Sequence, residues 1–90
     1  MPHPVELDPE PFAELERLHQ VDPRVAERVE RMLDLIEADP GAAVVRRRHL
    51  RPPGLWMMSV DLDDQDDLMI LWDLDGQTPV VRHLGTSVFT

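Results

Sequence analysis

The chain has no cysteine, which excludes a disulfide framework, a thiolate metal site and a catalytic thiol. It has no lysine either: all nine basic residues are arginine, set against eighteen acids. No stretch approaches the ~20 consecutive apolar residues of a membrane-spanning helix. The opening Met1-Pro2-His3-Pro4-Val5-Glu6-Leu7-Asp8 lacks the basic start and apolar run of a secretory leader, so a cytoplasmic protein is expected. Four scattered histidines without cysteine do not suit a zinc site. The acidic run Asp61–Asp67 departs from an EF-hand loop, with Asp66 where glycine is needed and Trp72 where the bidentate glutamate belongs. No cofactor is expected.

What is present points to one small domain spanning residues 1–90, with 42% hydrophobic residues to fill a single core. Charge is uneven along it. Residues 1–42 hold eleven acids and four arginines, a net −7, and residues 61–90 hold seven acids and one arginine, a net −6. Between them, residues 43–60 hold Arg46, Arg47, Arg48 and Arg51 with no acid, a net +4. A protein of net charge −9 repels nucleic acid as a whole, so any anion-binding role has to fall on that central island.

Hydropathy changes period once along the chain. Residues 1–9 read as a lead-in or as an edge strand around Val5 and Leu7. Pro11 sits where a first helical turn tolerates proline, and Phe12, Leu15 and Leu18 follow at spacing three, predicting a short helix over about 11–20. Asp22 is placed as the N-cap and Pro23 as the first residue of a second helix. Val25, Val29, Met32, Leu33 and Ile36 share one face of it, and Asp39-Pro40-Gly41 ends it. Strands are expected over Ala43–Leu50, Leu55–Leu62, Leu68–Leu74 and Pro79–Leu84. Pro52-Pro53-Gly54, the acidic Asp63–Asp67 and the hairpin signal Asp75-Gly76 separate them. Leu68–Leu74 is apolar at nearly every position, as a central strand buried on both faces would be. Short links require antiparallel neighbours. The fold class is therefore α+β, two N-terminal helices packed on a mainly antiparallel four-stranded sheet.

The Gly54-Leu55-Trp56 turn into a strand, the Leu68-Met69-Ile70-Leu71-Trp72-Asp73-Leu74-Asp75-Gly76 hairpin and the closing Val80-Val81-Arg82-His83-Leu84-Gly85-Thr86-Ser87-Val88-Phe89 resemble the RelE/ParE superfamily of toxin-antitoxin toxins. The likeness is strongest to its YafQ-like branch and covers about residues 10–89. It implies a toxin that cleaves mRNA on the ribosome, or inhibits gyrase as in the ParE branch, and that a cognate antitoxin neutralises. Asp67 falls at a catalytic aspartate of the branch, and His49 lies close to a catalytic histidine. Asp63 stands where the branch has a second histidine, and Ser87 where it has the histidine of Gly-Thr-His. Phe89 resembles a terminal aromatic that stacks on a base.

Cleavage through the 2′-hydroxyl needs a base, a cation beside the phosphorane and an acid for the leaving 5′-oxygen. His49 or Asp67 is nominated as base, Arg47, Arg51 or Arg82 as cation and His83 as acid. Histidine titrates near neutrality and arginine offers a planar fork to phosphate. Arg46, Arg47, Arg48, Arg51 and Phe89 are the expected RNA contacts. Each has a plainer alternative. The arginine island also suits an acidic partner segment, Asp67 suits a solvated turn, a strand histidine such as His83 is commonplace, and Trp56 and Trp72 suit packing. Three functions stay open: a ribosome-dependent mRNA endonuclease, a catalytically degenerate homologue that keeps antitoxin binding, and a ParE-like gyrase inhibitor. The implied partners are an antitoxin, and ribosome and mRNA for the first, with a dimer or a toxin-antitoxin hetero-oligomer as the assembly and no membrane.

Overall fold

The computed structural model describes residues 4–42, 48–50, 54–62 and 67–86. In chain order it holds β1 (Glu6–Leu7), α1 (Pro9–Val21), α2 (Pro23–Ala38), β2 (Arg48–Leu50), β3 (Leu55–Val60), β4 (Leu68–Asp75) and β5 (Thr78–Thr86). The expected α+β arrangement is what forms: a helical hairpin on a sheet whose four main strands are antiparallel. The edge strand expected around Val5 and Leu7 forms as Glu6–Leu7, which adds to the sheet in parallel through Glu6↔Val80 and Leu7↔Val81. It can be parallel because everything else in the chain lies between it and β5.

Proline sets both helix starts. Pro9 and Pro23 occupy first-turn positions, where a missing N–H costs nothing. Asp22 ends α1, its N–H reaching the Leu18 carbonyl at 2.8 Å, and it also precedes α2. A residue before proline is driven out of the helical region, and Asp22 stands at φ −151°. One residue therefore breaks the helix and folds the hairpin. α1 begins two residues earlier than the spacing predicts, and its inner face is Pro11, Leu15 and Leu18. Phe12, expected on that face, is 51% exposed. The helical period explains this: positions 11, 15 and 18 follow 3.6 residues per turn more closely than a strict spacing of three.

Val25, Val29, Leu33 and Ile36 of α2 are buried as the periodicity implies, Ala26 joins them, and Met32 is half-buried. They close one core with Met58 and Val60 of β3, Ile70 and Trp72 of β4 and Val81 and Leu84 of β5. Each fully buried side chain of this size is worth about 1.5–3 kcal/mol.

The sheet order is β1-β5-β4-β3-β2. β4 is central, and Met69, Ile70, Leu71 and Trp72 are all buried in it, as its unbroken apolar run foretold. The β4–β5 hairpin turns on Gly76 and Gln77 between the paired Asp75 and Thr78. Gly76 has φ +65° and no other residue of the loop is positive, the signature of a type II′ turn. Of the strand expected over Ala43–Leu50, Arg48–Leu50 is observed, and residues 43–47 lie outside the described residues.

Candidate functional site on the sheet

One irregularity in β5 organises the outer face of the sheet, away from the helices. Leu71 pairs with His83 but Trp72 pairs with Val81, so Arg82 is an extra residue in the ladder. In a regular strand Val81 and Leu84 would point to opposite faces. The bulge lets both enter the helix-facing core, and it leaves Arg82 and His83 side by side on the outer face. Bulges commonly re-aim side chains next to functional sites.

Arg82 is already engaged. Its Nε donates to Asp73 Oδ1 at 2.9 Å, and its Nη1 donates to Asp8 Oδ1 at 3.2 Å and to Oδ2 at 3.5 Å. The hydrogen bond to Asp73 raises its already high pKa; burial opposes this, and the charges of Asp73 and Asp8 add to it. Asp8 is the N-cap residue of α1, yet its side chain makes no capping bond because the carboxylate is turned toward Arg82. No residue spacing announces this cluster. Asp8 and Arg82 are 74 residues apart and meet only because β1 lies parallel to β5.

His83 is half-buried beside this cluster. Its Nε2 lies 3.3 Å from the Thr86 carbonyl, which accepts when that nitrogen carries the proton. The ring lies over Gly85, within 3.5 Å of where a Cβ there would stand.

His49 stands elsewhere. It pairs with Trp56, which pairs with Trp72, and the three rings form one row across β2, β3 and β4. The His49 and Trp56 centroids are 5.2 Å apart at 21°, and those of Trp56 and Trp72 are 5.1 Å apart at 38°. Trp72 is fully buried under the helices, so this row lies on the helix-facing side. His49 and His83 therefore occupy opposite faces, separated by three strand spacings, about 14 Å. The two tryptophans pack at the core and its rim, as the plainer reading of them holds.

Asp67 opens β4 at the end of the sheet. It is exposed, and its Oδ1 accepts from the Leu62 N–H at 2.9 Å, closing the acidic loop. Among the nominated residues, then, Arg82 and His83 come together while His49 and Asp67 stand apart from them. Arg46, Arg47, Arg51 and Phe89 lie outside the described residues, and the backbone of Arg48 pairs with Met57 at the end of the sheet order. Among the described residues no cluster of three His, Asp or Glu side chains is arranged to hold a metal. No helix is long and apolar enough to cross a membrane.

A helical hairpin laid on four antiparallel strands in the order α-α-β-β-β-β is the architecture of the RelE/ParE-type toxins, and this chain has that fold. It superposes on the YoeB/ParE toxin from Agrobacterium tumefaciens with a TM-score of 0.66, over 92% of this chain and 96% of that one, at 13% identity. No protein-family model matches the chain, and no curated protein matches its sequence. At that identity the likeness speaks for the fold and does not separate the YafQ-like branch from the rest.

Proposed function

We propose that the chain is the toxin member of a toxin-antitoxin pair, and that it acts as a ribosome-dependent mRNA endonuclease. The observation that carries this reading is the near end-to-end superposition on a toxin of this fold. The bulge that puts Arg82 next to His83 on the sheet face away from the helices supports the finer claim. A base there takes the proton of the 2′-hydroxyl, and the 2′-oxygen attacks phosphorus. The bond to the 5′-oxygen breaks as an acid protonates it, leaving a 2′,3′-cyclic phosphate. His83 suits one of the proton roles, and Arg82 suits the phosphorane once it leaves its carboxylates. The Arg46–Arg51 island would follow the RNA backbone, and Phe89 would stack on a base. His49 and Asp67 remain candidates for the base, with substrate and ribosome supplying the missing geometry. The chemistry needs no cofactor.

A second reading is a catalytically degenerate homologue that keeps the antitoxin surface. Its support is the pairing of Arg82 with two carboxylates and the separation of His49 from His83. Induced expression in a bacterial host, with primer extension on a translated message, separates the possibilities. Growth arrest with cuts in frame supports the endonuclease. Arrest with intact message and DNA damage supports a ParE-like action on gyrase. Normal growth without antitoxin removes the toxin activity and leaves the degenerate homologue.

A further inference from the structure

Asp8 holds a position that ordinarily serves a helix and is used for something else. It is the N-cap residue of α1, with the extended backbone an N-cap takes (φ −61°, ψ 159°), yet its side chain makes no capping bond. The residues after it make that cap dispensable. An N-cap oxygen accepts from the second or third residue of the helix, and the third here is Pro11, which has no N–H. Of those two positions only Glu10 has an amide to offer. Asp8 is tied to the sheet instead. Its N–H donates to the Val81 carbonyl at 2.9 Å, and its carboxylate lies 3.2 and 3.5 Å from Arg82 Nη1.

The two carboxylates on Arg82 are not equivalent. Asp73 sits on the neighbouring strand of the hairpin and takes Nε at 2.9 Å. That bond fixes the guanidinium and leaves its Nη edge, from which an arginine can offer parallel N–H groups to a phosphate. Asp8 occupies that edge, carried by the two-residue β1 at the end of the sheet. The Arg82 and Asp8 side chains are 36% and 39% exposed, so solvent weakens their ion pair. Both Asp8 oxygens address the single Nη1, whereas the non-bridging oxygens of a phosphodiester can take two N–H groups side by side. We propose that Asp8 is an internal stand-in for phosphate, which closes the Nη edge of Arg82 in the free chain and is displaced by an RNA phosphate. Asp73 stays on Nε and keeps the guanidinium aimed, so only one of the two carboxylates has to give way. The displaced Asp8 turns to the Glu10 amide and caps α1 at the positive end of the helix dipole, which offsets part of the lost ion pair. The inference rests on the reading of Arg82 as the phosphate ligand and adds that this ligand is closed at rest.

The test measures binding of a labelled oligoribonucleotide to the full chain by fluorescence anisotropy. Asp8→Asn keeps a good N-cap residue and removes the competing charge, so affinity should rise about threefold. Glu6→Gln, an exposed acid two residues away, makes the same change in net charge and should stay within about 1.5-fold of the parent. The gain should vanish when Asp8→Asn is made on an Arg82→Gln background. In the parent, the carboxyl-carbon NMR signal of Asp8 should shift on saturation with the oligoribonucleotide, more than that of Asp73. Parent-like or weaker binding by Asp8→Asn overturns the inference. An equal gain in Glu6→Gln, a gain that survives without Arg82, or an Asp8 signal that does not move overturns it too. The endonuclease reading is judged separately, by in-frame cuts that the parent makes in a translated message. Such cuts with parent-like binding by Asp8→Asn remove the stand-in and leave that reading in place. An intact message with no binding by parent or variant removes both.

Discussion

Arg82 reaches Asp73 across the β4–β5 ladder although the partner of Asp73 in register is Val80. The bulge makes this diagonal contact possible, and the second carboxylate, from Asp8, ties the start of α1 to the same guanidinium. One arginine thus joins the β4–β5 hairpin to the start of α1, 74 residues away in sequence. The same arginine is a nominated phosphate ligand, so its structural and chemical roles compete for one fork.

Replacing Arg82 with alanine should therefore lower stability as well as any activity. The side chains are about one third exposed, so solvent weakens each pair, and the network as a whole should be worth about 1 kcal/mol. Urea unfolding of Arg82→Ala checks this through a lower midpoint with an unchanged slope. A midpoint equal to the parent would mean that the cluster holds nothing together.

Freeing the arginine should have the reverse effect on anion binding. In Asp8→Asn/Asp73→Asn the guanidinium keeps its charge and loses both carboxylates. Affinity for a labelled oligoribonucleotide should rise about fivefold, the equivalent of one charge-assisted hydrogen bond of about 1 kcal/mol. Unchanged affinity would remove Arg82 from the RNA-binding surface.

The two strand histidines should separate in their effects. If the outer face carries the reaction, His83→Ala should reduce message cleavage by about 10²–10⁴-fold, the usual range for a lost acid or base. His49→Ala should leave cleavage within about threefold and remove the ring stacked on Trp56, a contact worth about 0.5–1.5 kcal/mol. Primer extension and thermal unfolding on the same two variants read both quantities. A large loss of cleavage in His49→Ala alone would move the site to the helix-facing rim.

Trp72 should be the most costly single truncation. It is fully buried under the helices and packs at a tilt against Trp56 in the aromatic row. Trp72→Ala should cost about 3–5 kcal/mol, and Trp56→Ala, half-buried, distinctly less. Urea midpoints rank them, and the reverse order would contradict the packing described.

The helical hairpin, the central place of β4 and the hairpin turn at Gly76 were all legible in the chain, because proline, apolar period and glycine act locally. The face that α1 buries was legible only in part. Pro11, not Phe12, continues the Leu15–Leu18 face, because the 3.6-residue period favours a step of four there. The site was harder to see. That Arg82 and His83 share a face depends on a bulge with no glycine or proline to announce it. The grip of Asp8 on Arg82 depends on parallel pairing across most of the chain. Spacing alone put Arg47 and His49 on one face of a strand, and residues 43–47 lie outside the described residues. What sequence patterns miss here are contacts made between elements.

Acid should weaken the domain first through α1. Both carboxylate oxygens of Glu14 accept from Arg17 Nε, at 3.2 and 3.1 Å, and Arg17 Nη2 donates to the same group. These hydrogen bonds hold the Glu14 carboxyl below the usual glutamate range; its slight burial opposes them, and the charge of Arg17 adds to them. A carboxyl whose pKa is depressed on folding stabilises the native state above its unfolded pKa. That stabilisation is lost as pH falls through the folded value. The contribution should thus be complete at about pH 7 and fade from the ordinary glutamate range downward. Glu14→Gln removes the ionised form at every pH. Its urea midpoint should lie below the parent at about pH 7 and approach it at about pH 3, with the sign of the difference never reversing. A difference that stays constant over that interval would assign the loss to packing of the side chain instead of its charge.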